Sequence, residues 1–338
     1  MPEKRGLTLG KFAPFHKGHQ LLIETALSEM DEVVVIIYDC PETTCVPLNV
    51  RSNRIKQIYP DVEVKEAWDG PTEVGDSSGI KKMHEDYILK QLKPGNITHF
   101  YSGEFYGEHM SLALGAENRL VDSNRKTVPV SGTAIRKNPF EFRGYLHPLV
   151  YRDLVTNVVF LGAPSTGKTT IASALAREYN TAWMPEYGRD YWEKNQVERR
   201  LTPEQLTDIA EKHLEKEEQL LYQADQYLFT DTNAITTYMF SLYYHGTASE
   251  WLTKMADQAA SHYDIVFVCD TDIPYDDTWD RSGDSNRQVF QKQIIGDLLV
   301  RKIPFFLLSG DLEKRIDYVK KVLDRFCKYK SLTDLFEF

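Results

Sequence analysis

Val158-Val159-Phe160-Leu161-Gly162-Ala163-Pro164-Ser165-Thr166-Gly167-Lys168-Thr169 decides the architecture of its half of the chain. Four apolar residues read as a buried strand. A G-x-x-x-x-G-K-T loop follows, and the spacing after Lys168 reads as a helix to about Tyr179. In that setting the backbone N–H groups of residues 163–168 wrap a β-phosphate. Lys168 reaches the β/γ-phosphates, and the Thr169 hydroxyl holds Mg²⁺. The expected nucleotide-binding set is Gly162, Ala163, Pro164, Ser165, Thr166, Gly167, Lys168, Thr169 and Thr170.

Outward from this loop the α/β alternation continues. Asn157–Leu161, Tyr227–Thr230, Ile265–Cys269 and Pro304–Leu308 read as strands. Thr202-Pro203-Glu204-Gln205 carries the N-cap, first-turn proline and capping box of another helix, whose apolar face is Leu206, Ile209, Ala210, Leu214 and Leu221. The charged run Glu211–Glu218 on that helix reads as a solvated face. Asp231 ends a strand, where α/β proteins bind ligands. It is the first choice for catalytic base or Mg²⁺-side carboxylate, with Glu186 second. In Pro185-Glu186-Tyr187-Gly188-Arg189-Asp190-Tyr191-Trp192, carboxylates, arginine and aromatic rings interleave as in an acceptor pocket. Tyr187 or Trp192 would stack on a flat base, and Arg189 or Asp190 would hold ribose hydroxyls. Asp276–Arg287 is polar; Arg281 and Arg287 would close over phosphates as a lid.

The first half opens with a strand over Gly6–Leu9, then Gly10-Lys11-Phe12-Ala13-Pro14-Phe15-His16-Lys17-Gly18-His19 and a helix over His19–Met30. His16 and His19 stand at a helix N-terminus, which binds phosphate, and both rings can face one triphosphate. Val33–Tyr38, Val62–Ala67 and His99–Ser102 read as further strands. Lys81–Gln91 reads as a helix ended by Pro94-Gly95. The H-x-G-H element just after a first strand resembles the nucleotidyltransferase superfamily, which also carries a late serine/threonine-arginine element. Here that element is Pro129-Val130-Ser131-Gly132-Thr133-Ala134-Ile135-Arg136. The resemblance implies transfer of an adenylyl group from ATP to a phosphate monoester, with release of pyrophosphate. The acceptor is already anionic, so positioning and charge stabilisation suffice and no general base is required.

The 338 residues suit two domains of ordinary size, here 1–150 and 151–338, with the boundary near residues 148–156. A formal net charge of −10 opposes non-specific nucleic-acid binding. Cys40, Cys45, Cys269 and Cys327 form no close C-x-x-C pair, and they fit a reducing cytoplasm. No apolar run reaches 18 residues, so no membrane span is expected.

A Rossmann-like H-x-G-H nucleotidyltransferase domain followed by a P-loop kinase domain resembles the NadR family over nearly the whole chain. That family joins nicotinamide mononucleotide adenylyltransferase to nicotinamide riboside kinase. The resemblance rests on Gly10–His19, on Tyr101-Ser102-Gly103-Glu104-Phe105-Tyr106-Gly107, on Asp122 to Arg136, on the P-loop, and on the Tyr187–Trp192 and Asp231 segments. It implies catalytic roles for His16, His19, Arg136, Lys168 and Asp231. It puts Gly10, Lys11, Phe12, Ser102, Glu104, Tyr106, Ser131 and Thr133 at the first nucleotide. Arg51 and Arg54 would face the mononucleotide. Trp68 would stack on the pyridine ring or be a buried structural tryptophan. ATP, nicotinamide mononucleotide, nicotinamide riboside and NAD are the implied ligands, with Mg²⁺ as cofactor and a homo-oligomer left open. Some members carry an N-terminal helix-turn-helix; this chain begins about five residues before its first strand, so no DNA-binding role is expected. Two alternatives stay open: an adenylyltransferase/kinase for another phosphate ester, such as a phosphopantetheine-like acceptor, and a non-catalytic nucleotide sensor.

Overall fold

The computed structural model describes residues 4–92, 96–104, 106–197, 200–275 and 284–330. The chain forms two compact units, Met1–Leu154 and Val155–Phe338.

The first unit runs β1 (Arg5–Gly10), α1 (Lys17–Glu29), β2 (Glu32–Tyr38), α2 (Leu48–Ile58), β3 (Glu63–Ala67), α3 (Ser78–Gln91), β4 (His99–Ser102), α4 (Gly107–Leu114), β5 (Glu117–Leu120), α5 (Gly132–Lys137) and α6 (Pro148–Arg152). Its sheet is parallel, in the order β3-β2-β1-β4-β5. β1 is central because Leu7 is buried and its neighbours in β2, Val33 to Ile37, form an unbroken buried run. The chain leaves β1 toward β2 on one side and reaches β4 on the other. The crevice at the carboxyl ends of β1 and β4 is therefore the switch point where such sheets bind ligands.

The second unit runs β6 (Thr156–Leu161), α7 (Lys168–Glu178), β7 (Trp183–Met184), α8 (Tyr187–Asn195), α9 (Pro203–Leu221), β8 (Tyr227–Asp231), α10 (Ala234–His245), α11 (Glu250–His262), β9 (Ile265–Cys269), α12 (Asp284–Val300), β10 (Phe306–Leu308) and α13 (Leu312–Leu323). The order is β10-β9-β6-β8-β7, again parallel. Alternation along β6 explains the two-layer core. Val158 and Phe160 pack with Ile171 and Leu175 of α7 and Val319 of α13. Val159 and Leu161 pack with Ile235 of α10, Ala256 of α11 and Ile294 of α12. In-register pairing of Phe160 with Asp231 brings the end of β8 beside the start of the glycine-rich loop.

Several expectations change. The Thr202 capping box forms as read, with Thr202 Oγ1 accepting from Gln205 N at 3.3 Å and Gln205 Oε1 from Thr202 N at 2.8 Å. The run Glu211–Glu218, however, is not wholly solvated: His213 is 5% exposed and Glu217 0%. Pro94-Gly95, proposed to end α3, lies outside the described residues. Trp68 is exposed, with its indole N–H on Glu66, so it is not buried.

Arg51 is also corrected. Its guanidinium is buried and donates to the carbonyl oxygens of Val46 (3.0 Å), Tyr38 (3.1 Å) and Lys11. It ties the loop after β1 to the end of β2 and does not line the cavity beside His16 and His19. Arg54 forms a bidentate pair with Asp153 at 2.8 and 2.7 Å, so it joins α2 to the residue after α6. Arg51→Met leaves three carbonyls without this donor, at roughly 1–3 kcal/mol for each one that stays unsatisfied. Denaturant unfolding of the first unit should therefore lose about 3 kcal/mol; unchanged stability with a raised acceptor KM would return Arg51 to the substrate.

Candidate active sites

The H-x-G-H stretch becomes the start of α1. His16 is the N-cap: its Nδ1 accepts the Gly18 N–H at 3.1 Å, and His19 Nδ1 accepts the His16 N–H at 3.3 Å. Two helix-start donors are thus satisfied by imidazole nitrogens in a reciprocal capping box. Gly18 is required because a Cβ there would meet His16 Cε1 at 3.0 Å. The rings stack with centroids 3.7 Å apart. Burial, then Arg125 and Arg136, lowers the His16 pKa to about 4. Burial, His16 and Arg125 hold His19 well below its usual value. Both rings are therefore neutral at pH 7, and with each Nδ1 accepting, each proton sits on Nε2.

These rings open onto a cavity of about 780 Å³ at the β1/β4 crevice. Gly10, Lys11, Phe12, Glu104, Tyr106, Ser131, Thr133 and Arg136 line it too. Ser131 caps α5 by accepting from Ala134 N at 3.1 Å. Arg136 donates to Ala13 O at 2.5 Å and to Thr133 Oγ1 at 3.1 Å. Lys11 pairs with Glu42 at 2.5 Å. Tyr38, Ile80, His84, His109 and Met110 also line the cavity. Arg51, Arg54, Trp68 and Ser102 do not line the cavity. The Ser102 hydroxyl is buried and donates to Glu104 O at 3.1 Å, so it shapes its own loop. Arg125, on a turn held by the Asp122 carboxylate through the N–H groups of Lys126, Thr127 and Val128, also lines the cavity and pairs with Glu104 at 3.4 Å.

In the second unit Gly162 has φ +138°, and a Cβ there would lie 2.7 Å from Cys269 O, so only glycine starts this turn. Ser165 (φ +64°) and Gly167 (φ +84°) complete the curl. Lys168 donates to Ala163 O at 3.0 Å, and Thr166 Oγ1 to the same oxygen at 2.9 Å. Pro164 and Ser165 are half-buried, and Thr170 is exposed on the first turn of α7. Thr169 Oγ1 donates to Asp231 Oδ2 at 2.5 Å. Asp231 is fully buried, and its Oδ1 has no partner among the described residues. Burial and then the Glu186 charge raise its pKa, against Lys168 and Thr169. A hydroxyl and a buried carboxylate with a spare oxygen suit a hard cation that takes its remaining ligands from phosphates and water.

Glu186 pairs with Arg189 at 3.4 Å, and the Glu186 charge is near enough to raise the Asp231 pKa. Tyr187 and Trp192, expected to stack on a flat base, are half-buried. Their rings pack on the apolar cluster of Leu206, Ile209 and Leu252, and Lys216 sits 4.8 Å over Tyr187. Arg281 lies outside the described residues. Arg287 is in α12, not a polar loop; it is buried and donates to Ser165 O (3.2 Å) and Ile273 O (3.0 Å). Two residues that brace the glycine-rich loop carried no sequence signal. Gln291 Oε1 accepts from Ala163 N at 2.8 Å, and buried Arg315 donates to Thr166 O at 2.6 Å. Each sits on a distant helix with no local motif.

Residues 7–138 match the cytidylyltransferase-like family model, and residues 157–315 match that of an AAA domain. The trifunctional NAD biosynthesis/regulator protein NadR of Escherichia coli (strain K12) is 29% identical over 330 residues, covering 89% of this chain and 77% of that protein. That of Salmonella typhimurium (strain LT2) is 28% identical with the same coverage. Crystal structures of a NadR protein, one in complex with NR and one with NAD and AMP-PNP, superpose with a TM-score of 0.54 at 22% identity. They cover 96% and 95% of this chain and 96% of each of those chains. With both halves matched in order along nine-tenths of its length, the chain is a homologue of NadR.

Proposed function

We propose that this chain is a bifunctional enzyme of NAD biosynthesis. The second unit phosphorylates nicotinamide riboside with ATP, and the first transfers an adenylyl group from ATP to nicotinamide mononucleotide. The observation that carries the reading is the pairing, on one NadR-like chain, of a histidine-capped helix start at a sheet switch point with a P-loop whose Thr169 touches Asp231. The nicotinamide assignment draws on the likeness to NadR; the chemistry draws on the geometry.

In the first site an oxygen of the mononucleotide phosphate bonds to the α-phosphorus of ATP. The bond from that phosphorus to the bridging oxygen breaks, and pyrophosphate leaves. The neutral His16 and His19 rings present Nε2–H donors to the phosphoryl oxygens without the cost of a buried charge. Arg136 and Arg125 supply fixed positive charge. The wall of Tyr38, His84 and His109 is left for the acceptor ring. In the second site the loop amides and Lys168 hold the β- and γ-phosphates, while Asp231 or Glu186 takes up the proton of the acceptor hydroxyl. Thr169 and Asp231 would hold Mg²⁺, which would supply charge neutralisation for the phosphates. Among the described residues no helix is long and apolar enough to cross a membrane.

Purified protein with ATP and Mg²⁺ should make NAD from either nicotinamide mononucleotide or nicotinamide riboside. His19→Ala should remove adenylyl transfer by about 10²–10³-fold and spare phosphorylation of the riboside; Lys168→Ala should do the reverse. NAD from neither substrate would refute the nicotinamide assignment, and loss of both activities in either variant would refute separate sites.

The neutral His16 also sets a pH dependence. Its folded pKa of about 4 lies below the ordinary histidine value of 6.5, so the unfolded chain binds the extra proton between these values. Stability is therefore full above pH 6.5 and falls as pH drops toward 4, by up to about 3 kcal/mol from this group. Denaturant unfolding at pH 7.5, 6 and 5 should show the slope, and His16→Asn should flatten it. An equal slope in the variant would place the acid sensitivity elsewhere.

A further inference from the structure

Two polar side chains of α9 are buried where its sequence reads as a charged surface, and the phosphoryl-transfer chemistry uses neither directly. Glu217 is fully buried. Its Oε1 accepts from Thr230 Oγ1 at 2.9 Å and Asn157 Nδ2 at 3.0 Å; its Oε2 accepts from Tyr263 OH at 2.8 Å and lies 3.6 Å from His262 Nε2. One turn earlier His213, 5% exposed, lies against the Thr232 backbone and within the field of Glu186. Its Nε2 is buried without a partner among the described residues.

Glu217 holds the Thr230 hydroxyl, and His213, one turn earlier on α9, lies against the Thr232 backbone, so the two side chains meet the two neighbours of Asp231. Asp231 itself turns the other way, to Thr169. Thr232 is β-branched yet has φ +68°, a strained conformation that persists only where its surroundings fix it. Its N–H donates to Phe160 O at 3.0 Å.

We propose that His213 and Glu217 are positioning residues for phosphoryl transfer. Together they grip the residues on either side of Asp231 and hold the left-handed turn that aims its carboxylate at Thr169 and the acceptor. The proposal rests on the kinase reading of the second unit. Small misplacements of a reacting group cost far more in turnover than in binding.

The test is steady-state phosphorylation of nicotinamide riboside by the full-length protein, with His213→Leu, His213→Asn and Thr230→Val compared. His213→Leu should lower kcat by about tenfold or more while the KM values for ATP and riboside stay within about twofold. His213→Asn, which keeps a hydrogen-bonding group at this position, should recover most of that loss. Thr230→Val removes only the hydroxyl that Glu217 holds and should also lower kcat with KM retained; it decides the matter if His213→Leu fails to fold. Unchanged kcat in the variants, equal loss in His213→Leu and His213→Asn, or a loss expressed in KM would overturn the proposal while an active wild type leaves the function standing. A wild type that does not phosphorylate the riboside refutes the kinase reading and the proposal with it.

Discussion

Everything at these two sites depends on the same constraint: the first turn of a helix has N–H groups with no partner inside the helix. Each unit places such a turn at the carboxyl end of its central strand. The two starts resolve the constraint differently. At α1 the donors of Gly18 and His16 go to imidazole nitrogens, so satisfying the backbone also fixes which nitrogen of each ring carries the proton. At α7 no side chain caps the helix, and the loop amides curl around space suited to phosphate. One start has turned its capping groups into donors for a ligand, and the other offers its backbone directly.

The second loop is held from outside. Arg315 from α13 and Arg287 from α12 donate to the carbonyls of Thr166 and Ser165, and Gln291 receives the Ala163 N–H. With its carbonyls drawn outward, the loop can keep other amides turned inward. Rigid support of this kind is what positioning catalysis requires. The buried arginines are thus part of the scaffold behind the nucleotide, and Arg51 does the same for the loop after β1.

What could be read from the sequence follows how local the signal was. Val158–Thr169, Gly10–His19 and the Thr202 cap declare themselves within a dozen residues, because strand, turn and cap have short-range signatures. His99–Ser102 and Ile265–Cys269 form strands with the expected bounds. The polar edge strand Glu117–Leu120 and the two-residue Trp183–Met184 were not legible, since edge pairing asks little of side chains. Arg51 and Arg54, expected at the mononucleotide, hold backbone carbonyls and the Asp153 carboxylate, whereas Arg287, expected over the phosphates, rests on the Ser165 carbonyl of the glycine-rich loop itself. Glu217 shows the converse: the composition of 211–218 pointed to solvent, but partners on β6, β8 and beyond α11 make its burial tolerable.

The two principal cations rest on carbonyl oxygens of the very loops they serve: Arg136 on Ala13 and Lys168 on Ala163. Phosphate binding is therefore an exchange of partners rather than a simple gain. Each cation gives up a neutral acceptor for an anionic one, and the charge-assisted bond is the stronger of the two. A ligand that fills the same space without the anionic oxygens would have to break these contacts and could not replace them. The sites thus carry an intrinsic selection for phosphorylated nucleotides over bare nucleosides at their ATP positions, set by what the cations relinquish as much as by what they contact.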